Sequence, residues 1–126
     1  MALAITGVTI SGVVYGYLVS GKRAEWSAYS LAAQSLAAQG VEQARAAKWD
    51  PEAWPPVDET PPSSVSTEEQ LDIPVRGTPV LATNRCTITD VSTNPRMREI
   101  RVDCVWMMGN QGPFTNSLVT FRSPDQ

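Results

Sequence analysis

The residues of this chain that could do chemistry are two cysteines and a few neighbouring carboxylates. The chain has 126 residues and no His, which removes His-activated nucleophiles, imidazole acid–base catalysis and His-containing zinc sites. Two Cys are too few for a four-thiolate metal site. The pairs Asp58–Glu59 and Glu68–Glu69 lie in Pro- and Ser-rich sequence without an apolar pocket to raise a pKa, which favours solvated loops. The sequence predicts no enzyme and no cofactor.

Metal and nucleic-acid ligands are also not expected. A calcium site needs Asp, Asn or carbonyl oxygens gathered on one loop, and Asp125 and Asn110 are candidates only in principle. The net charge is -3 and the ten Lys and Arg are scattered along the chain, so there is no basic patch for nucleic acid.

The last third of the chain has the alternating pattern of antiparallel strands. Residues 85–91 alternate in polarity. A second strand places five apolar residues on one face, namely Ile100, Val102, Cys104, Trp106 and Met108. Residues 92–96 supply the turn between them, and residues 116–122 follow the turn at 109–113 as a third strand. We therefore expect a small antiparallel head over residues 77–126.

The two cysteines fall on the two strands of the predicted hairpin. If the turn centres near Pro95, Ile88 faces Val102 and Cys86 faces Cys104. Opposed residues of a non-hydrogen-bonded antiparallel pair have Cβ atoms about 4.5–5.5 Å apart, close to what a disulfide needs. The pattern favours a Cys86–Cys104 disulfide and an oxidising compartment. Two buried, reduced thiols are the alternative.

The middle of the chain separates this head from a long helix. Residues 50–76 contain most of the ten Pro, and such sequence favours extended backbone over helix, so we expect a connecting loop. Residues 22–49 instead show helical periodicity. One stripe holds Trp26, Tyr29, Ala33, Leu36, Gly40, Ala44 and Ala47. Trp26 and Tyr29 are expected either at a lipid–water boundary or packed on the head.

Residues 1–21 contain no charged residue and run without a break into that helix. An apolar run of this length can span a bilayer about 30 Å thick. A cleaved signal peptide is disfavoured, because no positive residue precedes Lys22 and the run is longer than a signal-peptide core. A plain membrane anchor and a helix that passes from the membrane into an assembly remain as interpretations.

Small residues along the helix are candidate assembly positions. The spacing Gly12-x-x-x-Gly16 is one through which membrane helices approach closely. The predicted assembly positions are Gly7, Gly12, Gly16, Leu36, Gly40 and Ala44. For the last three of these, packing of the helix on its own sheet is the simpler interpretation.

Together these features resemble the type IV pilin and type II secretion pseudopilin superfamily. The resemblance is carried by Ala-Leu-Ala-Ile-Thr-Gly at residues 2–7 and Tyr-Gly-Tyr at residues 15–17, followed by the amphipathic helix and the C-terminal sheet. The strand pattern Arg-Glu-Ile-Arg-Val-Asp-Cys-Val-Trp at residues 98–106, with Ser-Leu-Val-Thr at residues 117–120, is similar to the ends of minor pilins and pseudopilins.

The resemblance implies an α+β, pilin-like fold, in which one long N-terminal helix packs on a small antiparallel sheet. It implies a structural subunit, minor rather than major, held in the bacterial inner membrane with its head in the periplasm before it joins a pilus or pseudopilus. The implied partners are other pilins or pseudopilins, a prepilin peptidase and an assembly platform, with N-terminal methylation.

One departure from the family pattern concerns the start of the sequence. The basic leader, its cut site and the Glu of the mature start are not among these residues. We expect either that Met1 is an internal Met with these features upstream of it, or that the product lacks the insertion Glu. The competing hypothesis is a single-pass, membrane-anchored periplasmic binding protein that does not polymerise.

Overall fold

A computed structural model describes residues 2–62, 64–74 and 77–125, with side chains described from Thr6 onward. Its elements are α1 (Ala2–Ala46), β1 (Trp49–Asp50), β2 (Val57–Asp58), β3 (Val65–Gln70), β4 (Leu81–Thr93), β5 (Arg96–Met108) and β6 (Gln111–Arg122). The first two strands form a small ribbon, and the others form an antiparallel sheet in the order β3–β4–β5–β6. The α+β class, with one long helix packed on an antiparallel sheet, is confirmed.

The helix α1 is continuous from the apolar segment into the amphipathic one. Its 45 residues correspond to a length of about 68 Å at 1.5 Å per residue. It ends at Ala46, earlier than the predicted bound at Trp49, because the next residues take other backbone partners. The Lys48 carbonyl accepts a hydrogen bond from the Glu59 N–H at 2.8 Å, and Trp49 pairs with Asp58 in the β1–β2 ribbon.

The second half of α1 packs on one face of the sheet. Its buried residues are Tyr29, Ala33, Leu36, Ala37, Val41 and Ala44, and they meet Ile100, Val102, Cys104 and Trp106 of β5. The predicted helix stripe is confirmed by burial at Tyr29, Ala33, Leu36 and Ala44, whereas Trp26 is exposed and Ala47 lies beyond the end of α1. Small Ala side chains on this stripe bring the helix axis close to the sheet.

The three long strands form the predicted meander. β5 is the central strand and pairs with β4 on one side and with β6 on the other. The five β5 residues expected on one face alternate with more exposed ones, and four of them are fully buried. The turn at residues 94–95 lies at the same end of the sheet as the C-terminus of α1, which we call the distal end. The opposite, proximal end carries the turn at residues 109–110.

The segment expected to be a loop contains strands. Residues 50–76 include β2 and β3, and β3 pairs with β4 from Val65↔Cys86 to Gln70↔Leu81. β3 has the sequence Val-Ser-Thr-Glu-Glu-Gln, which lacks apolar alternation, so its extended form depends on backbone pairing with β4 rather than on its own pattern. Residues 63, 75 and 76 of this segment lie outside the described residues.

The expected register of the hairpin is wrong by two residues. Cys86 lies opposite Val102, and Cys104 lies opposite Asn84. The turn uses both Asn94 and Pro95 rather than centring on Pro95, and the ladder is irregular between Asp90 and Ser92. Each of these differences moves the pairing by one residue, so the cysteines become diagonal neighbours on the same inward face.

Both cysteines are free thiols in this structure, Cys104 buried and Cys86 half-buried. The predicted Cys86–Cys104 disulfide is therefore wrong for this structure. The prediction of an oxidising compartment loses its support, because it rested on that disulfide. Burial raises the pKa of Cys104 to about 11 and raises that of Cys86 as well. At neutral pH both groups are thus held as the poorly nucleophilic thiol.

Because both cysteines are free thiols, chemical reduction should not change the intact mass of the purified protein. The buried Cys104 should react with iodoacetamide only after unfolding in urea, whereas the half-buried Cys86 should react slowly in the folded protein. A gain of two mass units on reduction would show that the two strands can bring the sulfurs together, and would contradict this register.

Gly40 is the point of closest approach between helix and sheet. A Cβ placed there would stand 3.0 Å from the Asn84 Nδ2 and 3.1 Å from a methyl of Val102. Asn84 is buried and donates a hydrogen bond from that nitrogen to the Leu36 carbonyl at 3.2 Å. The space at Gly40 is therefore required for this buried polar contact.

Filling that space should destabilise the head. We expect Gly40→Leu to lower the free energy of unfolding by about 1–3 kcal/mol relative to Gly21→Leu, since both gain helix propensity but only Gly40 meets packed atoms. Urea unfolding followed by Trp fluorescence measures the difference. Equal stability of the two variants would contradict the close contact.

Candidate functional site

The first half of α1 is an uncovered apolar surface, which we call the stalk (residues 6–21). Its large side chains are exposed, namely Val8, Ile10, Val13, Val14, Tyr15, Tyr17 and Leu18. Residues 6–21 carry no charge. Gly7, Gly12 and Gly16 have no atom of another element within 4 Å of an added Cβ. Within the subunit, the predicted assembly glycines therefore face open space.

Two hydroxyls of the stalk, those of Thr9 and Ser11, are turned onto its own backbone. Thr9 Oγ1 donates to the Thr6 carbonyl at 2.9 Å, and Ser11 Oγ donates to the Gly7 carbonyl at 2.8 Å. A neighbouring helix could therefore pack on these positions without leaving either hydroxyl unsatisfied. Of the helical segments among the described residues, none combines sufficient length with sufficient hydropathy to cross a membrane.

An aromatic cluster joins the stalk to the head at the proximal end. The Trp106 ring lies 4.8 Å from Phe114, 5.7 Å from Tyr29 and 6.1 Å from Trp26, measured between ring centroids. These separations are typical of favourable tilted and edge-to-face pairs. Trp26 and Tyr29 therefore pack on the head, which is the second of the two positions expected for them.

Asn116 fixes the helix to the sheet beside this cluster. Its side-chain oxygen accepts a hydrogen bond from Trp106 Nε1 at 2.7 Å. Its amide nitrogen donates to the Ser30 carbonyl at 3.3 Å and lies within hydrogen-bond distance of Ser30 Oγ at 3.1 Å and Gln34 Oε1 at 3.3 Å. One side chain of β6 thus binds both the helix backbone and the central aromatic ring, so it sets the direction in which the stalk leaves the head.

A second set of contacts closes the distal end. Arg122 donates to the Ala44 carbonyl at 3.1 Å, which satisfies a carbonyl in the last turn of α1, and it also binds Asp125 at 2.8 Å. Asp125 in turn exchanges two hydrogen bonds with the backbone of Trp49, both at 2.8 Å. The Trp49 N–H and the Arg122 guanidinium lower the pKa of Asp125.

Arg98 holds the β1–β2 ribbon against the sheet. Its guanidinium lies 4.2 Å from the centroid of the Trp49 ring and forms ion pairs with Asp58 and Asp90, both at 2.8 Å. The hydrogen bond from Arg98 lowers the pKa of Asp58 to about 2, and a contact from the Thr60 hydroxyl acts in the same direction.

The carboxylates singled out in the sequence do not form reactive pairs. Asp58 is bound to Arg98, whereas Glu59 lies 3.4 Å from the backbone nitrogen of Lys48. Glu68 and Glu69 are successive residues of β3, so their side chains point to opposite faces. Among the described residues, no group of three or more His, Cys, Asp or Glu could hold a metal ion.

The two calcium candidates lie far apart. Asn110 is in the turn at the proximal end, and Asp125 is at the distal end beyond β6. They cannot share one loop site.

Sequence reasoning missed the polar residues that connect helix and sheet. Asn84 and Asn116 occupy inward positions in otherwise apolar alternation, and that interruption was the available signal. The roles of Arg98 and Arg122 had no such signal, because their partners lie elsewhere in the chain.

In comparisons with known proteins, no family model, no curated protein and no solved structure matched this chain.

Removal of the Asn116 side chain should weaken the attachment of α1 to the sheet. We expect Asn116→Ala to lower the free energy of unfolding by about 2 kcal/mol, because it leaves the buried Trp106 N–H without its acceptor. The matched control is Thr115→Ala on the exposed side of the same strand, which should change stability by less than about 0.5 kcal/mol. Chemical unfolding of both variants measures the difference. Equal losses of unfolding free energy would contradict the role of Asn116 in holding the helix on the sheet.

The Arg98 contact predicts a pH dependence below pH 4. Because folding lowers the pKa of Asp58 from 3.8 to about 2, its contribution is complete above the unfolded value and is lost as the pH falls towards 2. Asp58 is 45 % exposed, so we expect less than about 1 kcal/mol. The free energy of unfolding, measured from pH 2 to 6, should change less with pH for Asp58→Asn than for the parent protein or for Glu25→Gln. An unchanged slope in Asp58→Asn would contradict the assignment.

Proposed function

We propose that this chain is a structural subunit, a minor pilin or pseudopilin of a type IV pilus or type II secretion pseudopilus, that assembles through its stalk. The observation that carries the proposal is the division of one continuous helix. Its second half is packed on the head by Tyr29, Leu36 and Ala44, whereas its first half is apolar, uncharged and uncovered.

The uncovered surface needs a partner. An exposed apolar patch of this extent marks an interaction surface rather than a solvent-facing one. Val13 is 74 % exposed and Tyr17 is 80 % exposed, and both lie close to Gly12 and Gly16, where a second helix can approach the backbone. Stalk helices of neighbouring subunits are the partners that fit this surface.

The division of the helix also suits transfer from lipid into a filament. In a membrane, helix association replaces lipid contacts with equally apolar protein contacts, so the exchange costs little. The head keeps its own core because Leu36, Gly40 and Ala44 pack on the chain's own sheet. We therefore assign assembly to Gly7, Gly12 and Gly16 and leave the other three predicted positions to the head.

The proposed location is the bacterial inner membrane with the head in the periplasm, followed by the filament. Placement of the head in the periplasm follows the family resemblance and does not draw on the cysteines. Other pilins or pseudopilins, the prepilin peptidase and the assembly platform are the proposed partners.

A charged stalk should block assembly without harming the head. We expect Val13→Lys to remove the protein from filaments sheared off the native cells, since a Lys between packed helices is costly. The matched control is Val119→Lys, an exposed valine on the outer face of β6, which should still assemble. Immunoblots of sheared and envelope fractions measure the distribution, and Trp fluorescence of both variants checks the head.

Two results would contradict the proposal. Val13→Lys could enter the sheared filaments as well as the parent does. Alternatively, the parent protein could stay in the envelope fraction after shearing and never appear in filaments, as a membrane-anchored binding protein that does not polymerise would.

A further inference from the structure

A groove runs along the second half of α1, beside the face that packs on the sheet. One wall is formed by α1 between residues 28 and 39, and the other by residues 69–74, at the end of β3 and just beyond it. The groove has a volume of about 560 Å³. Its apolar lining consists of Ala28, Leu31, Ala32, Leu36, Leu71, Ile73 and Pro74. An apolar groove along a helix is the kind of surface into which a second helix lays its apolar face.

Leu31 lines this groove and is nevertheless 73 % exposed. Within residues 22–46 of α1, all of which the structure describes, no other large apolar side chain is exposed as much. Ala28 and Ser35, the neighbours of Leu31 on the adjoining helical turns, are exposed as well. The subunit therefore does not cover its own groove at this position.

The groove continues the apolar surface of the stalk. Alternating steps of four and three residues connect eight uncharged, exposed positions, which we call the heptad stripe: Ile10, Val14, Tyr17, Gly21, Ala24, Ala28, Leu31 and Ser35. The charged residues Lys22, Arg23 and Glu25 lie off this stripe. Heptad spacing is the one by which two helices pack along each other, so the stripe indicates a helix as the partner.

Charges around the groove indicate which helix fits. Glu69 and Asp72 are the carboxylates of its lining, and neither forms an ion pair with any described residue. Lys22 and Arg23, at the end of the stalk, are exposed and have no ion-pair partner in the described part of the chain either. The chain thus carries an acidic groove and, on the same helix, a basic pair beside an apolar stripe, which are complementary surfaces.

We propose that the groove receives the helix of a second copy of this chain, at the junction between its stalk and its head. Gly21 and Ala24 of the second copy pack against Leu31, and the basic pair between them meets the two carboxylates of the groove. Residue 21 of one copy then lies level with residue 31 of the other. The two helices are displaced by about ten residues, or about 15 Å at 1.5 Å per residue.

The proposal deepens the assembly function and rests on it for one feature, the parallel direction of the two helices, since both stalks enter the same membrane. A staggered contact uses different surfaces of the two copies, so it can repeat from subunit to subunit without closing. An in-register pair would leave Glu69 and Asp72 without basic partners, because Lys22 and Arg23 lie about one and a half turns or more nearer the start of α1 than residue 28.

Photo-crosslinking of the full chain in detergent tests the position and the direction of the second helix. A benzoylphenylalanine replaces Leu31 or Ala24, and mass spectrometry identifies the peptides that irradiation joins. We expect the Leu31 probe to attach to residues 18–24 of a second copy and the Ala24 probe to attach to residues 11–17. The matched control carries the probe at Val119, an exposed valine of β6, and should give no dimer.

Charge exchange tests the complementarity of the two surfaces. We expect Glu69→Lys combined with Asp72→Lys to weaken dimerisation at low salt roughly three- to tenfold, as for two exposed ion pairs. Replacement of Lys22 and Arg23 by Glu in the same chain should restore the affinity. Glu68→Lys is the matched control, because Glu68 lies on the opposite face of β3 from Glu69. Sedimentation equilibrium measures the dissociation constants, and Trp fluorescence checks that the head is folded.

Several results would overturn the proposal. Attachment of the Leu31 probe near residue 31 of the second copy would show in-register pairing, and attachment of the Ala24 probe to residues 26–32 would show antiparallel pairing. A chain that stays monomeric in detergent, or a charge exchange that restores no affinity, would equally exclude this contact.

Failure here is distinguishable from failure of the assembly function. If these tests fail while Val13→Lys is lost from filaments, the groove contact alone is wrong. If Val13→Lys enters filaments as the parent does, the assembly function itself is wrong.

Discussion

The packing of the second half of α1 on β5 is the contact on which the rest of the structure depends. Ala33, Ala37 and Ala44 keep the helix close to the sheet, and Val102 fills the space opposite Gly40. Because this contact covers the second half of α1 and not the first, the head has a core that the first half of the helix does not share. The aromatic cluster and Asn116 then fix the angle at which the stalk emerges.

The distal end depends on the same contact. Arg122 can satisfy the Ala44 carbonyl and hold Asp125 only because helix and sheet already end side by side. Asp125 and Arg98 both act on Trp49, so the ribbon is fixed from its backbone and from its ring. The molecule consequently has two ends with different chemistry: an apolar, uncovered helix and a polar end fixed by ion pairs and hydrogen bonds.

Much of the fold follows from local pattern, and most of the misses come from non-local contacts. The helix stripe through Ala33 and Leu36 and the alternation along β5 each report a buried face directly. The strand partner of Cys86 could not be predicted from the sequence. A two-residue turn and an irregularity near Asp90 shift the pairing of β4 with β5, and no residue pattern indicates either of them. The strand β3 could not be predicted either, because its extended backbone depends on pairing with β4 rather than on its own sequence pattern. The stalk glycines were predicted from their spacing in the sequence.

Photo-crosslinking in the native cell envelope would show directly whether neighbouring subunits meet through the stalk. A benzoylphenylalanine at Val13 samples the uncovered half of α1, and the same group at Thr87 samples the sheet away from the stalk. We expect irradiation to join the Val13 probe to another subunit in assembled filaments and to give no such product from the Thr87 probe. Subunit adducts from Thr87 with none from Val13 would show that the subunits meet through their heads, and the division of the helix into a head half and an assembly half would be wrong.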